Sequence, residues 1–411
     1  MTHFFIRWNR VCGEVLPVLV VGLAVFYLIR AQGLEYYRIP SKSMEPVLHG
    51  DQRWGDLVLV DKSGLWKGDP EQLDLVVVQG ETAGANHMVK RLYAIGPAEV
   101  RIAAGDLFIA PPGGTFERLV KSPVEDRDLR VTSFRHPLGP CDQSVDEFFH
   151  LPPSNSRLAG EILHLSQPVG CDRVEGLLAL LDPEDRRGRV GNLDRAIPGV
   201  LSTRNVDSTY LDPEGLRLGE TYTDFPDVGI EIDLRTGEPP AALLFALEFH
   251  DHDYGLLWQR DGTLELVVEG QPTARESVAP LPERGGRLTF GYLDSHLFLL
   301  LDDEVLFHAP VEMLYVAQPR PLTRLHLGVA GGGVQIGRIE VFHDTHISST
   351  DGIFGRDEPY DVPEGSMFLL GDNTYQSSDS RTALGMVPFA RLVGRPVAIL
   401  APASRARSLA R

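Results

Sequence analysis

The chain has 411 residues, 43% hydrophobic and 23% charged, which is enough apolar content for more than one buried core and too much for a disordered tail. Lys and Arg number 39 against 57 Asp and Glu, a formal charge of -18, so nucleic acid is excluded as a partner unless a local basic patch overrides the average. Three cysteines without a CxxC pair, and no HExxH or Walker-type sequence, give no metal spacing and no phosphate-cradling loop, so neither metal nor cofactor is expected.

Residues 1–10 carry Arg7 and Arg10, and an apolar run follows over residues 11–30. Val15 to Ile29 is unbroken, and adding Val11 to Gly13 brings it to about nineteen residues with Glu14 inside. At ~1.5 Å per residue that nearly spans a ~30 Å hydrocarbon core, so a transmembrane helix is predicted. The leading arginines favour a cytoplasmic N-terminus, although Arg30 weakens the asymmetry. A cleaved signal peptide is the competing reading, with Ala31-Gln32-Gly33 as the cleavage site. Cys12 falls in the apolar run, while Cys141 and Cys171 are read either as a disulfide or as two buried thiols.

After Arg38 the chain reads as mainly β. Short β-branched runs bounded by Gly, Pro and charge predict strands at Asp56–Val60, Leu73–Val78 and Met88–Leu92. The same texture returns at Met367–Leu370 and Leu392–Leu400, so the two ends of the chain are expected to share one β-domain. Residues 113–227 are rich in Pro, Gly, Arg and Asp and offer no readable fold. From 228 to 350 strands are predicted at Val228–Leu234, Ala241–Phe249, Thr263–Val268, Arg287–Gly291, His296–Leu301, Val305–His308, Arg324–Ala330 and Val334–His343. That many short strands point to a β-sandwich or jelly roll. Asp302-Asp303 joins two of them in a hairpin that resembles those of concanavalin- and laminin-G-like sandwiches, and Gly331-Gly332-Gly333 is expected to be a turn. His250-Asp251-His252-Asp253 is read as an exposed polar turn in preference to a metal site.

The chemistry lies in three short segments. A serine is a poor nucleophile until a base takes its proton, and a lysine can act only as the neutral amine, scarce near pH 7 at its ordinary pKa of ~10.4. On a strand, Lys90 shares a face with Met88 and Leu92, and such apolar packing disfavours the ammonium form. Ser41 and Ser43 flank Lys42 just beyond the apolar run.

Together the segments resemble type I signal peptidases, the membrane-anchored Ser/Lys endopeptidases. Ile39-Pro40-Ser41-Lys42-Ser43-Met44-Glu45-Pro46-Val47-Leu48 is similar to that family's serine element, with Val47 where threonine is usual. Val89-Lys90-Arg91 is similar to its lysine element. The run from Val362 to Asn373, then Ser377-Ser378-Asp379-Ser380-Arg381 with Gly385 and Val387-Pro388, resembles its final box.

The resemblance implies that Ser43 is the nucleophile, Lys90 the general base and Ser377 the residue that orients the amine. It assigns the oxyanion hole to the Ser43 backbone N–H and the Ser41 hydroxyl, structural support to an Asp379–Arg381 ion pair, and substrate pockets to Ile39, Leu48, Met88 and Val89. It also implies signal peptides of exported preproteins as substrates, the lipid bilayer as partner, and a single-pass inner-membrane protein with its catalytic domain outside the cytoplasm.

Departures lie in supporting turns: Ala94-Ile95-Gly96-Pro97-Ala98 replaces a Gly-x-Pro-Gly-Asp turn, Thr374-Tyr375-Gln376 lacks the usual arginine, and Leu73-Asp74 lacks a preceding basic residue. The likeness covers about two fifths of the chain, giving a peptidase core at 35–112 and 351–411 around an irregular insertion at 113–227 and a sandwich at 228–350. By analogy with sandwich lectins the insert is assigned an envelope or carbohydrate ligand. Two other classes stay open: an inactive core carrying a binding sandwich, and a soluble self-cleaving Ser/Lys regulator.

Overall fold

Leu75–Gln79 is buried at every position but the last, as a central strand covered on both faces requires. In the computed structural model it lies between Leu392–Ala401 and His87–Ile95 in a sheet ordered Leu34–Arg38, Leu57–Asp61, Leu392–Ala401, Leu75–Gln79, His87–Ile95, Ser366–Leu370, Val387–Pro388. Strands from both ends of the sequence therefore alternate in one sheet. One face packs Ile39, Met44, Val47, Leu48, Val58, Val60, Leu75, Val77 and Ile399, and the other packs Val76, Val78, Leu92, Met367, Leu369, Leu384 and Val387. This sheet belongs to a unit formed by Met1–Ala103, Leu107–Glu117 and Ile347–Arg411.

The structure describes residues 18, 20–22, 33–63, 69–80, 87–103, 105–124, 127–136, 149–150, 156–159, 162–167, 201–203, 206, 210–211, 217–218, 227–249, 252–313, 323–345, 347, 354–355 and 358–409. Among them no helix is long and apolar enough to cross a membrane. Of the expected span, only Val18, Val20, Val21 and Gly22 are described, as helix; the rest of it, residues 1–10, and Cys12, Cys141 and Cys171 lie outside the described residues.

The second unit, Ala104–Asp106 and Arg118–His346, is a sandwich of two antiparallel sheets. One runs Ser156–Ala159, Ile162–Ser166, Gly333–His343, Val228–Arg235, Gly286–Leu293, His296–Leu301, Glu304–Pro310, with Val131–His136 also paired to Gly333–His343. The other runs Gln271–Ser277, Thr263–Val268, His252–Gln259, Ala242–Phe249, Thr323–Ala330, Leu201–Thr203, Phe149–His150. Their inner faces meet in one core, where Phe245 of one sheet stacks on Phe290 of the other at 5.6 Å.

Three sequence expectations need correction. Residues 113–227 are not wholly irregular: Val131–His136, Ile162–Ser166 and Leu201–Thr203 join the sandwich sheets. Of the expected polar turn, His252 and Asp253 instead begin the strand His252–Gln259, and Asp253 is only 1% exposed; His250 and Asp251 lie outside the described residues. Gly333 starts a strand and leaves Gly331 and Gly332 as the turn, both at positive φ. Asp302 and Asp303, also at positive φ, make the expected hairpin turn.

Within this second unit Asp227, Asp294, Asp344 and Asp106 gather around Lys121. The Lys121 amine is 2.8 Å from Asp294 and 2.7 Å from Asp344, Arg118 is 3.2 Å from Asp106, and the Asp294 N–H donates to Asp227 at 2.7 Å. Burial pushes Asp344 up to about 7, Asp106 up to about 6, and Asp227 well above the usual carboxylate range. A carboxyl with a raised folded pKa costs no stability below its unfolded pKa of about 4 and costs most above its folded value. Calorimetry should therefore find the unfolding transition of this unit moving up as the pH falls from about 7 toward 4. Asp227→Asn should flatten that slope; an unchanged slope would show that the cluster does not set it.

Candidate active site

Ser43 sits in a single turn of 3-10 helix, Lys42–Met44. The turn is anchored from below, because Met44 and Leu48 are 1% and 0% exposed in the first core cluster while Ser41 is exposed and Ser43 half-buried. From the side it is backed by Gly50, where an added Cβ would lie 1.8 Å from the Ser41 carbonyl oxygen. The Ser43 carbonyl accepts the Asn373 N–H at 3.1 Å, tying the turn to the loop that follows the strand Ser366–Leu370. The Ser41 and Ser43 hydroxyl oxygens are 3.3 Å apart.

Lys90 is opposite Val76 on the strand His87–Ile95 and is 3% exposed. Its amine donates to the Ser377 hydroxyl at 2.8 Å. Burial pulls the Lys90 pKa down to about 8, against the attraction of Asp379 and Asp372, and Arg381 lowers it further. Among the described residues no hydrogen bond joins Ser43 to Lys90; each has its own serine partner.

Two buried ion pairs hold the loop that carries Ser377. Arg91 grips Asp372 through two bonds of 2.7 Å and donates to the Leu73 carbonyl at 2.8 Å. Arg381 grips Asp379 through two bonds of 3.0 Å and donates to the Thr374 carbonyl at 2.6 Å, with both side chains wholly buried. Asp379 also accepts the Gly371 N–H at 3.2 Å. Each carboxylate near the lysine thus has a guanidinium of its own, which limits its pull on the amine.

Gly371 is the point where the pieces converge. A Cβ there would lie 2.2 Å from the Ser377 hydroxyl and 2.4 Å from the Ser43 carbonyl oxygen, so these two groups approach one another across a residue without a side chain. Gly371→Ala must displace one of them. Since misplacement by about 1 Å can cost ~10²-fold, any catalytic rate that depends on Ser43 and Ser377 should fall at least that far while the far-ultraviolet circular dichroism stays native.

Of the predicted pocket residues, Ile39 and Leu48 pack together in the first core cluster with Val89 against it, whereas Met88 packs against the other cluster. The Arg91–Asp372 pair did not emerge from the sequence. Both residues lie in recognisable motifs, but nothing local to either signals a partner 281 residues away.

One group in the sandwich unit has the composition of a metal site: Glu248, Asp253 and His326, all buried, with ligand atoms within 4.8 Å of one another. Glu248 Oε2, however, already accepts from Arg324 Nε at 2.9 Å and lies 3.2 Å from His326 Nε2. The His326 Nδ1 is 2.8 Å from the Ser202 hydroxyl. Glu248 and His326 are thus already engaged, with an arginine supplying positive charge at Glu248.

Comparison with known proteins bears on the same residues. A model of the family described as signal peptidase, peptidase S26, matches residues 12–146 and 325–401, together more than half of the chain. Signal peptidase I of Rickettsia canadensis is 46% identical over 46 residues, 11% of this chain and 17% of that protein. Signal peptidase I of Mycobacterium tuberculosis is 37% identical over 62 residues, 15% of this chain and 21% of that protein. The chain thus aligns with less than a quarter of the length of these relatives. Among solved structures, the Bacillus licheniformis β-glucanase covers 52% of this chain and 98% of its own at 8% identity, but its TM-score of 0.29 carries no argument.

Proposed function

The chain belongs to the signal peptidase family, peptidase S26, and from that premise we propose that it is a membrane-anchored serine endopeptidase that removes signal peptides from exported preproteins. The observation that carries the proposal is a buried lysine amine, held by Ser377 and lowered to about 8, beside the turn that presents Ser43.

A neutral amine has two protons and one lone pair. By donating one proton to the Ser377 hydroxyl, Lys90 fixes its rotamer and leaves the lone pair for the Ser43 proton as Ser43 attacks the scissile carbonyl. The short approach of Ser43 to Lys90 forms on substrate binding, because catalytic contacts commonly tighten only in the complex. The Ser43 N–H and the Ser41 hydroxyl receive the developing oxyanion. The lysine ammonium then protonates the departing amine, which leaves an ester on Ser43 and a neutral Lys90. Water attacks that ester, its proton passing to Lys90 and on to the released Ser43. Asp379 and Arg381 keep the loop of Ser377 in place.

An extended substrate has an edge to pair with. Ser366–Leu370 covers the strand His87–Ile95 only from Arg91 to Ile95, so on that side His87 to Lys90 has no strand partner among the described residues. Backbone bonds along that edge supply affinity, and the small pockets of Ile39, Leu48, Met88 and Val89 select small residues before the scissile bond. In this organisation residues 35–112 and 351–411 form the peptidase core, residues 113–350 are inserted, and residues 11–30 anchor the enzyme in the inner membrane with its site outside the cytoplasm. The insert faces an envelope or carbohydrate ligand.

The test uses the full chain in detergent with a preprotein. The rate should rise with pH along a limb near pH 8, since the amine must be neutral, and mass spectrometry should map the cut after a small residue. A rate that is flat or falling from about pH 6 to 9 would refute the lysine base.

A further inference from the structure

Across the outward face of one sandwich sheet, four polar residues stand in a single row. Arg157 is the register partner of His164, His164 of Gln335, and Gln335 of Arg235. Register partners share a face, and Leu165, Val334, Ile336 and Leu234, which alternate with them, turn into the core. With strands ~4.8 Å apart, the row is about 14 Å long. It lines a cavity of about 400 Å³ together with Ser156, Leu165, Ser166, Gly237, Gly333 and Val334, and no carboxylate and no Phe, Tyr or Trp ring is among the described lining residues.

This is unusual for a chain of charge -18. The other arginines in and beside the sheet are committed: Arg127 and Arg338 to Glu231, Arg135 to Glu340, and Arg287 to Asp303. Arg157 and Arg235 are in no ion pair among the described residues. The Arg235 guanidinium lies against Gly337, 3.7 Å from where a Cβ would be, so the absence of a side chain keeps it uncovered. Asp233, two residues earlier on the same strand, acts instead on Arg338.

We infer that this row is a binding site for an acidic oligosaccharide, one carrying carboxylate or sulfate groups, on the inserted unit. Two guanidinium forks at the ends of the row bind anionic groups bidentately. Gln335, Ser156 and Ser166 between and beside them supply hydrogen bonds that suit sugar hydroxyls. The row is too long for one small anion and needs an oligomer with at least two charges. Without a Phe, Tyr or Trp platform it offers little for stacking nucleobases or a neutral sugar ring. The inference stands independently of the peptidase reading.

Calorimetric titration of the full chain in detergent tests it, with oligogalacturonate and sulfated dextran as probes. Methyl-esterified oligogalacturonate and plain dextran serve as neutral counterparts, and inorganic sulfate and polyglutamate as competing anions. At least one anionic glycan should bind, weaken with added salt, and lose tenfold or more in affinity in the Arg157→Ala/Arg235→Ala variant. Gln335→Glu, a surface change that puts a carboxylate in mid-row, should weaken it too, while preprotein cleavage stays at the wild-type rate in both variants. The inference is overturned if neither glycan binds, if the variants bind as the parent does, if the neutral counterparts bind equally, or if sulfate or polyglutamate matches the glycans.

Discussion

Ser43→Ala and Lys90→Met should each lower single-turnover cleavage of a preprotein by on the order of 10⁴-fold or more, and the double variant should be no slower than either alone. Residues that act as one unit are not additive: once the nucleophile is gone the base has no proton to take, and the residual rate belongs to the oxyanion donors and to binding. The two variants should differ in stability. Ser43 is half-buried and its loss costs little, whereas Lys90→Met replaces a buried amine, 3% exposed, with an apolar chain of similar length and removes a desolvation penalty. Thermal unfolding of Lys90→Met should occur at or above the wild-type temperature. Lys90→Arg should not rescue activity, because a guanidinium stays protonated at any working pH. Retention of more than about a tenth of the wild-type rate by Lys90→Met would remove the lysine from the mechanism.

Arg381→Met should act on stability and on the pH profile at once. Asp379 and Arg381 are both 0% exposed and joined by two bonds, so removing the guanidinium strands a carboxylate in the interior at a cost of about 3–5 kcal/mol. The same change removes a cation that lowers the Lys90 pKa and uncovers the anion that raises it. Both effects favour the ammonium, so the rising limb of the rate should move to higher pH and the rate near neutrality should fall. Replacing both residues with apolar ones, Asp379→Leu with Arg381→Met, should recover much of the stability, since a buried pair lost whole costs far less than half of one. A pH limb that stays in place in Arg381→Met would mean that the pair supports the loop and leaves the lysine's charge alone.

How far the sequence could be read depended on the range of the forces involved. The peptidase segments were legible because their chemistry is compressed into a few consecutive residues: Ser41 to Met44 makes a turn within itself, and Lys90 alternates with Met88 and Leu92 on one strand. Asp379 and Arg381 are two residues apart, and so is their bond. Arg91 and Asp372 are equally close in space, yet neither neighbourhood announces the other. The strand His252–Gln259 was obscured because it opens on His252-Asp253, a polar pair that reads as a turn, whereas Asp253 is buried near Glu248 and His326, residues distant in the sequence. Ile162–Ser166 and Leu201–Thr203 are short, and their pairing is decided by Gly333–His343 and Thr323–Ala330, far along the chain. The row from Arg157 to Arg235 is likewise invisible until four strands are laid side by side.

The bond between Lys90 and Ser377 spans 287 residues of chain. At a synthesis rate of ~5–20 residues per second, the lysine is made on the order of 15–60 s before the serine that is to hold it. The neighbouring strand Ser366–Leu370 and the Arg91 partner Asp372 are equally late, so through that interval Lys90 lacks the partners found around it in the folded chain. The surroundings of Lys90 are therefore completed only when the last sixty or so residues arrive. An insert of this length sets a delay, timed by the ribosome, between the making of Lys90 and the arrival of the serine that holds it.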